Sequence, residues 1–421
     1  MKKLLLILLL FADAAFAQTF TLEQVQDLAK QNYPLIKQKE LIQQTKEISI
    51  ANLQKGFLPQ FALNGQATYQ SEVTQVKIPV PGVSIQPLSK DQYRALGDVN
   101  QTLYDGGLIK QQKNIQQLNA GVEEQKLEVQ LYALRERINS IYLGILFIDD
   151  QLQQTELVKT DIQTGMKKVE AQIANGVAFK SYLNTLKAEL LKAEQRSIEL
   201  SSTRSALVET LELFINQSIS ADAVFQRPVV KAFTADKTIA RPELNLFKAQ
   251  QKLFDGQHGL ISARNQPKAG LFFQGGYGRP GLNLLENKFA FFYTTGVRFS
   301  WNFGGLYTAK KEKELIEINK KNITLQQEAF LLNTNTQLKQ QQGEVNKIQL
   351  LIQKDDEIID LRKKVKEASN AQLENGVITA NDYLREVNAE DQARQTRILH
   401  LTQLLQAQIN YLNIQGKTPN P

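Results

Sequence analysis

Cysteine is absent from the 421-residue sequence, and its absence excludes several kinds of chemistry at once. The chain can have no disulfide bond, no thiolate metal ligand and no cysteine nucleophile. Histidine is nearly as scarce, since only His258 and His400 occur, and neither belongs to a recognisable metal or catalytic motif. No P-loop, nucleophile elbow or HExxH motif is present either. We therefore expect a protein that is not an enzyme and that uses no cofactor or metal ion.

Long apolar runs are also missing from the sequence after residue 18. A membrane-spanning helix needs about 20 apolar residues, so a helical membrane protein is not expected. The formal net charge is +7, but both signs are mixed along the chain, which indicates a solvated surface rather than a nucleic-acid-binding patch. The sequence is instead rich in Gln, Asn, Leu and Lys, a composition that favours long solvated helices.

Residues 1–17 have the pattern of an export signal. Two lysines precede a short apolar run at 4–11, and Ala-Phe-Ala at 15–17 is a cleavage sequence, so the mature chain is expected to begin at Gln18. An N-terminal membrane anchor is the alternative, but the apolar run is too short to span a bilayer. Because no cysteine follows the run, lipid attachment at this site is excluded.

The same short motif occurs twice, as AQIANGV at 171–177 and as AQLENGV at 371–377. Asn followed by Gly is a helix stop signal, because both residues tolerate the left-handed backbone conformation that ends a helix. A helical pattern resumes after each motif, with expected N-caps at Ser181 in the first case and at Asn381 or Asp382 in the second. Each motif therefore predicts the tip of a helical hairpin.

The helix that leads to the first tip is predicted to be very long. No proline occurs between Gly107 and Ala174, and one helix over this range would measure about 100 Å. Within it, apolar residues recur with alternating spacings of four and three, which is the pattern of a coiled-coil seam. The seam residues are Leu127, Leu131, Leu134, Ile138, Ile141, Ile145, Ile148 and Leu152.

Four segments alternate residue by residue between apolar side chains and polar or small ones. This period of two predicts β-strands. Antiparallel sheets of soluble proteins alternate in the same way, but aromatic residues crowd the apolar faces here, which favours the strands of a membrane barrel. The predicted strands lie at about 57–71, 93–104, 269–277 and 289–303.

The order helix, two strands, long helix, tip and helix occurs twice, which indicates an internal duplication. The opening helix of the first repeat is predicted at 21–55 and that of the second at 240–264. The expected divisions are 1–17 (signal), 18–215 (first repeat, tip at 175–177), 216–239 (a linker across the helices), 240–415 (second repeat, tip at 375–377) and 416–421 (C-terminal tail).

Four strands cannot close a barrel, and lipid does not tolerate an open sheet edge. The apolar strand faces therefore require several chains to contribute strands to one barrel. Closed barrels begin at about eight strands, so two chains are the minimum. The residues by themselves leave two, three or four copies open.

Several short motifs in the mature sequence point to one protein family. They are QNYPLIKQKE at 31–40, LYDGGLIKQQ at 103–112, WNFGGLYTAK at 301–310 and the two NGV tips. With these motifs the whole mature chain resembles the TolC family of outer-membrane efflux and secretion channels. The resemblance implies a mainly α-helical fold with a membrane β-barrel. Three chains would share a 12-stranded barrel in the outer membrane of a Gram-negative bacterium, and this barrel would continue into a long periplasmic α-helical barrel.

The resemblance also implies a function. The homotrimer would be the exit duct of a tripartite transport system, and would conduct small molecules passively from a periplasmic adaptor (a membrane fusion protein) and an inner-membrane pump. The expected partners are thus that adaptor, the pump and outer-membrane lipid, with no nucleic acid. One alternative is the duct of a type I protein secretion system. Another is a structural or adhesive coiled-coil trimer with a barrel anchor, which the internal duplication and the two tips disfavour.

Two groups of residues receive roles from this resemblance, and a third group, the gate residues, is chosen from its position in the last turns of the second long helix. The tips are expected to contact the adaptor, a gate is expected where the hairpins converge, and the Gly-Gly steps match strand-to-helix junctions, where a permissive backbone is useful. The tip residues are Asn175, Gly176, Val177, Asn375, Gly376 and Val377, the gate residues are Glu367, Asn370 and Glu374, and the junction residues are Gly106, Gly107, Gly304 and Gly305.

The gate residues have two interpretations. If Glu367, Asn370 and Glu374 face the duct, three copies would form acidic or polar rings that favour cations. Otherwise they are solvated surface groups.

The tips also depart from the family pattern. Gln172-Ile173 and Gln372-Leu373 replace a basic and an aromatic residue ahead of the glycine, and the second tip is expected to contain one extra residue after NGV.

Overall fold

The computed structural model describes residues 18–75, 86–230 and 238–417, so the predicted signal segment lies outside the described residues. Helices dominate, and the predicted mainly α-helical fold with four sheet strands is confirmed. In these ranges no helix is both long and apolar enough to cross a membrane. The elements are β1 (Thr19–Phe20), α1 (Leu22–Asn32), α2 (Gln38–Gln54), β2 (Gln60–Tyr69), β3 (Asp91–Tyr104), α3 (Leu108–Ala174), α4 (Lys180–Ile215), β4 (Val224–Phe225), α5 (Pro242–Arg264), β5 (Lys268–Arg279), β6 (Ala290–Ser300), α6 (Gly304–Glu374) and α7 (Ala380–Gln415).

A proline divides the opening helix of the first repeat. Pro34 has no amide hydrogen to donate, and Tyr33 before it is extended, with φ −65° and ψ 128°. A 3-10 turn at Pro34–Lys37 therefore separates α1 from α2. The prediction of one uninterrupted helix at 21–55 was wrong for this reason.

One compact unit, built from the described parts of 39–126 and from 245–327, contains an antiparallel sheet with the strand order β2–β3–β5–β6. The central pair, β3 and β5, joins one strand from each repeat. β2 and β6 are edges, each with a single neighbour among the described strands. β6 ends at Ser300, before the predicted limit of 303, and Trp301 beyond it donates from Nε1 to the carbonyl of Asn265 at 3.1 Å.

The two faces of this sheet differ in polarity. Residues that lie opposite each other in β5 and β6 are either both odd-numbered, such as Leu271 and Val297, or both even-numbered, such as Gly270 and Arg298. Odd-numbered and even-numbered residues therefore lie on opposite faces of the sheet. The odd face is apolar and largely exposed in the single chain, where Leu63 and Phe291 are each 86% exposed. Such a face needs a cover of lipid or protein, because large exposed apolar patches are rare on soluble proteins.

A second compact unit comprises the described parts of 1–38, 127–244 and 328–421. Most residues of the predicted seam in α3 are buried here, and Ile138 and Ile145 are fully buried. β1 pairs in parallel with β4, and the hydroxyl of buried Tyr142 lies 2.7 Å from the Phe20 carbonyl and 2.6 Å from that of Gln226. The seam thus carries the core against which both short strands pack.

Candidate functional site at the hairpin tips

The two tips have the same turn geometry and the same set of backbone hydrogen bonds. Gly176 has φ +77° and Gly376 has φ +70°, so each occupies the left-handed region that favours glycine. In the first tip the amide of Val177 donates to the carbonyl of Gln172 at 2.9 Å, and the equivalent bond from Val377 to Gln372 measures 2.8 Å. Together with the bond from each glycine to the residue three positions earlier, this is the Schellman motif that ends a helix.

The helices that follow the tips are capped differently from the sequence-based expectation. α4 follows Phe179, whose side chain provides no cap, and α7 follows Thr379. Thr379 Oγ1 accepts from the Asp382 amide at 3.3 Å, and Asp382 Oδ2 accepts from the Thr379 amide at 3.1 Å. The Thr379 hydroxyl also donates to Asp382 Oδ2 at 2.7 Å, and this bond, with the smaller effect of the bond from the Thr379 amide, holds the pKa of Asp382 below its usual value. Ser181 and Asn381 are not N-caps, and Asp382 acts three residues inside the helix as the second member of a capping box.

The second tip has no extra residue. In both hairpins two residues separate the NGV valine from the next helix, since α4 begins at Lys180 and α7 at Ala380. Tyr182-Leu183 and Tyr383-Leu384 are offset by one residue between the two hairpins, and this offset lies inside the helices. It leaves Tyr182 partly exposed and turns Tyr383 inwards, where only 2% of its surface is accessible.

Tyr383 lies at the centre of an apolar cluster below the tips. Its hydroxyl donates to the carbonyl of Asp161 at 3.2 Å, and burial, with a smaller effect of nearby carboxylates, raises its pKa to about 12. A Cβ atom at Gly165 would lie 2.8 Å from the ring, so a glycine is needed there to admit the tyrosine. The cluster draws residues from α3, α4, α6 and α7, and it also contains Ile162, Val169, Leu186, Leu373, Leu384 and Val387.

Two of the three predicted gate residues meet a lysine from the other repeat. Lys168 on α3 lies 2.7 Å from Glu374 Oε2 and donates to Asn370 Oδ1 at 3.0 Å. Glu367 is exposed, and its nearest cation is Lys363 of the same helix at 3.9 Å. We call Lys168, Asn370 and Glu374 the Lys168 cluster. It links the ends of α3 and α6 within one chain.

Sequence reasoning missed a second group of charges, which lies deeper in the hairpin pair. Lys366 on α6 lies 2.7 Å from Asp161 and 2.8 Å from Glu390, and Arg394 lies 2.6 Å from the other oxygen of Glu390. We call these four residues the Lys366 cluster. Glu390 and Arg394 have the i,i+4 spacing of a helical ion pair, which was visible in the sequence, but Asp161 is 205 positions from Lys366.

Burial and pairing act in opposite directions on the Lys366 cluster. Desolvation favours the neutral forms, but the ion pairs outweigh it. The pKa of Glu390 is consequently lowered by Lys366 and Arg394, and that of Lys366 is raised by Asp161 and Glu390. Both groups therefore remain charged around neutral pH.

The cluster should make stability depend on pH in a defined window. Because its folded pKa is lowered, Glu390 contributes stability above about pH 4.5, and this contribution is lost as the pH falls through the lowered pKa. Lys366, with a raised pKa, keeps its contribution up to about pH 10 and loses it only above that. The difference in urea midpoint between the wild type and Glu390→Gln should thus be constant from about pH 5 to 9 and shrink below about pH 4.5.

Comparison with the variant removes most of the titration of neighbouring groups from the result. Burial raises the pKa of Asp391 beside the cluster in both proteins, and only the smaller upward effect of Glu390 on that pKa stays in the difference. A difference that stayed constant down to pH 3 would contradict the assignment of the ionised Glu390 as a stabilising group.

The tips expose apolar side chains. Val177 is 73% exposed, Phe179 72% and Val377 70%. Among the described residues no group of three or more potential metal ligands comes together. His258 contacts only Glu317, at 2.8 Å, and His400 only Asp355, at 2.6 Å, as far as the described hydrogen bonds show. The exposed apolar side chains of the tips suit contact with another protein.

Glycine is needed for different structural reasons at the two Gly-Gly steps. Gly106 and Gly107 have φ +75° and +80°, and the Asp105 carboxylate before them accepts hydrogen bonds from the amides of Gly107 and Ile109 at the start of α3. Gly304 and Gly305, in contrast, are the first residues of α6 and need no positive φ. At Gly305 the requirement is space, since a Cβ atom would lie 2.1 Å from Asn265 Oδ1. The expectation of backbone permissiveness was therefore correct for the first step and wrong for the second.

A four-stranded sheet made from two repeats, each followed by a long helical hairpin, is the fold of outer-membrane channel proteins. The chain matches Vibrio cholerae VceC, an outer membrane protein, at 13% identity over 94% of this chain and 96% of that one, with a TM-score of 0.64. The outer-membrane channel OprN matches at 12% identity over 95% and 91%, with a TM-score of 0.66. The open state of the Neisseria gonorrhoeae outer membrane channel MtrE matches at 13% identity over 94% and 89%, with a TM-score of 0.61.

These similarities show the fold, and two of the matched structures, OprN and MtrE, are outer-membrane channels. No protein-family model matches the chain, and no curated protein matches it in sequence.

Proposed function

We propose that the protein is the exit duct of a tripartite transport system in the outer membrane of a Gram-negative bacterium. Three copies would combine their sheets into one 12-stranded barrel, and their hairpins would form a periplasmic helical barrel. The duct conducts small molecules passively, and energy comes from an inner-membrane pump through a periplasmic adaptor. The observation that carries the proposal is the four-stranded sheet, with its exposed apolar face and two unpaired edges.

The roles of the individual residues follow from their positions. The tips, with exposed Val177, Phe179 and Val377, are the adaptor-contacting surface, together with Asn175, Gly176, Asn375 and Gly376. The Lys168 and Lys366 clusters tie α3 to α6 below the tips and hold the periplasmic entrance closed. The duct of a protein secretion system is the second candidate, and it shares the same sheet and tips.

Two single-cysteine variants test this arrangement, because the native chain contains no cysteine. Leu284, 53% exposed in the loop between β5 and β6, is expected at the cell surface, and Asn375 in the periplasm. Leu284→Cys should react with a membrane-impermeant maleimide on intact cells. Asn375→Cys should react only after the outer membrane is permeabilised. Reaction of both variants on intact cells would contradict the proposed topology.

Crosslinking from the Asn375→Cys variant in living cells identifies the partner. Capture of a periplasmic adaptor, identified by mass spectrometry, is the expected result, and the pump that this adaptor serves separates efflux from protein secretion. If a well-expressed outer-membrane trimer captures no adaptor while the Leu284→Cys topology holds, the tips are not the docking surface. A self-standing pore or an adhesive stalk would then explain the fold better.

A further inference from the structure

The even-numbered face of the four-stranded sheet carries an excess of positive charge. Lys268, Arg94 and Arg298 all lie on this face, because Arg94 is opposite Gly278, Lys268 opposite Ser300 and Arg298 opposite Gly270. Its one acidic residue among the described strands is Asp98, and that carboxylate is already occupied. It accepts from Asn64 Nδ2 at 2.6 Å and from Gln274 Nε2 at 2.7 Å.

Arg298 lies over an aromatic ring on this polar face. Its guanidinium carbon is 4.7 Å from the centroid of Phe272, a distance typical of a cation–π contact. Phe272 is opposite Gly296, and a Cβ atom at that glycine would approach the ring to 3.1 Å. The missing side chain at Gly296 thus lets the ring lie close to the sheet, and the guanidinium above it remains exposed.

These cations have no counter-charge nearby. In the part of the chain that the structure describes, no carboxylate lies within 4.0 Å of Lys268 or Arg298. β6 is an edge strand, and in the proposed trimer a β2 strand of the next copy would pair with it. The β2 sequence, QFALNGQATY, contains no acidic residue, so a neighbouring copy would supply no carboxylate on this strand either.

We propose that Lys268, Phe272 and Arg298 form a binding site for aromatic anions, that is, for planar ring compounds that carry carboxylate or sulfonate groups. The site rests on the proposed duct function, in which the even-numbered face lines the passage. The guanidinium stacks between Phe272 and the ring of the compound, and Lys268 lies near the anionic group. Three copies of the site in one barrel raise the local concentration of such compounds at the end of the barrel that joins the helices, because Lys268 begins β5 and Arg298 lies near the end of β6.

Binding of naphthalene-1,3,6-trisulfonate to the full-length protein, purified in detergent, tests the site by calorimetry. Arg298→Gln should weaken binding about three- to tenfold, because one stacked and charged contact is lost. Phe272→Leu and Lys268→Gln should each weaken it by a similar or smaller factor. Arg279→Gln is the matched control, since it removes a cation from the same sheet on the odd face, and binding should not change.

Three outcomes would overturn the site. They are absence of measurable binding to the wild type, an equal loss in Arg279→Gln and Arg298→Gln, and equally tight binding of a naphthylmethylammonium cation. Conductance in planar bilayers separates this result from the duct function. Conduction without binding removes only the aromatic-anion site, whereas a correctly inserted trimer that never conducts removes the duct function on which the site rests.

Discussion

Val297→Arg is expected to abolish stable assembly in the outer membrane. Val297 lies on the apolar face of the edge strand β6, and 70% of its surface is exposed in the single chain. An arginine near the middle of a lipid-facing strand costs about 2–4 kcal/mol per chain, and three copies multiply this cost in the proposed trimer. The chain itself would lose little, because the side chain has few contacts within it. The fraction of protein recovered as trimer from outer membranes measures the effect.

Thr294→Arg is the matched control for this substitution. Thr294 is exposed in the same strand, but it lies on the even-numbered face, which lines the passage in the proposed duct. We expect a normal yield of trimer, because an arginine on a water-filled face avoids the cost of lipid. If both variants assembled equally well, the odd-numbered face would not contact lipid, and the membrane role of the sheet would be wrong.

Glu390→Ala is expected to have the second large effect, on the closure of the hairpins. Only 3% of the Glu390 surface is accessible, and its removal leaves Lys366 and Arg394 without their shared partner. Loss of one member of a buried charge pair costs about 3–5 kcal/mol. The contact between α6 and α7 should loosen, and the single-channel conductance of the protein in planar bilayers should rise above that of the wild type.

The first hairpin supplies the control for this experiment. At the positions 200 residues earlier it has Met166 and Leu190, which pack against the apolar cluster below the tips. The double variant Lys366→Met/Glu390→Leu copies those residues and removes the Lys366–Glu390 pair as a whole, which is often neutral for stability, and it leaves Asp161 and Arg394, whose side chains are 36% and 33% exposed, to be solvated by water. It should unfold closer to the wild type than Glu390→Ala does. If the double variant lost more stability than Glu390→Ala, the charges of the cluster would act independently and would not form a coupled unit.

The sequence predicted features that depend on local periodicity. Alternation of side chains located the sheet strands, and the four-three spacing identified residues such as Ile138 and Ile145 that the structure buries. The Asn-Gly steps predicted helix ends with a left-handed glycine, which Gly176 and Gly376 provide. These patterns are readable because each is decided by neighbours within a few residues.

Features decided by distant residues could not be predicted in this way. Lys168 meets Asn370 and Lys366 meets Asp161 across more than 200 positions, and no local pattern marks such pairs. The requirement for space at Gly305 is of the same kind, because it arises from Asn265 in another element. Even the cap at Thr379 was missed, since Asn381 and Asp382 offered equally good local candidates one turn later.

The two hairpins share their turns but not their interiors, and this has a consequence for the symmetry of an assembled ring. In the proposed trimer six hairpins alternate around the axis, three with Met166 and Leu190 inside and three with Lys366 and Glu390. The backbone geometry of the six tips is close to sixfold symmetry, whereas the side chains beneath the tips have only threefold symmetry. A ring-shaped partner with six equal subunits would thus meet two unlike kinds of site in alternation. It would have to bind them with two different affinities.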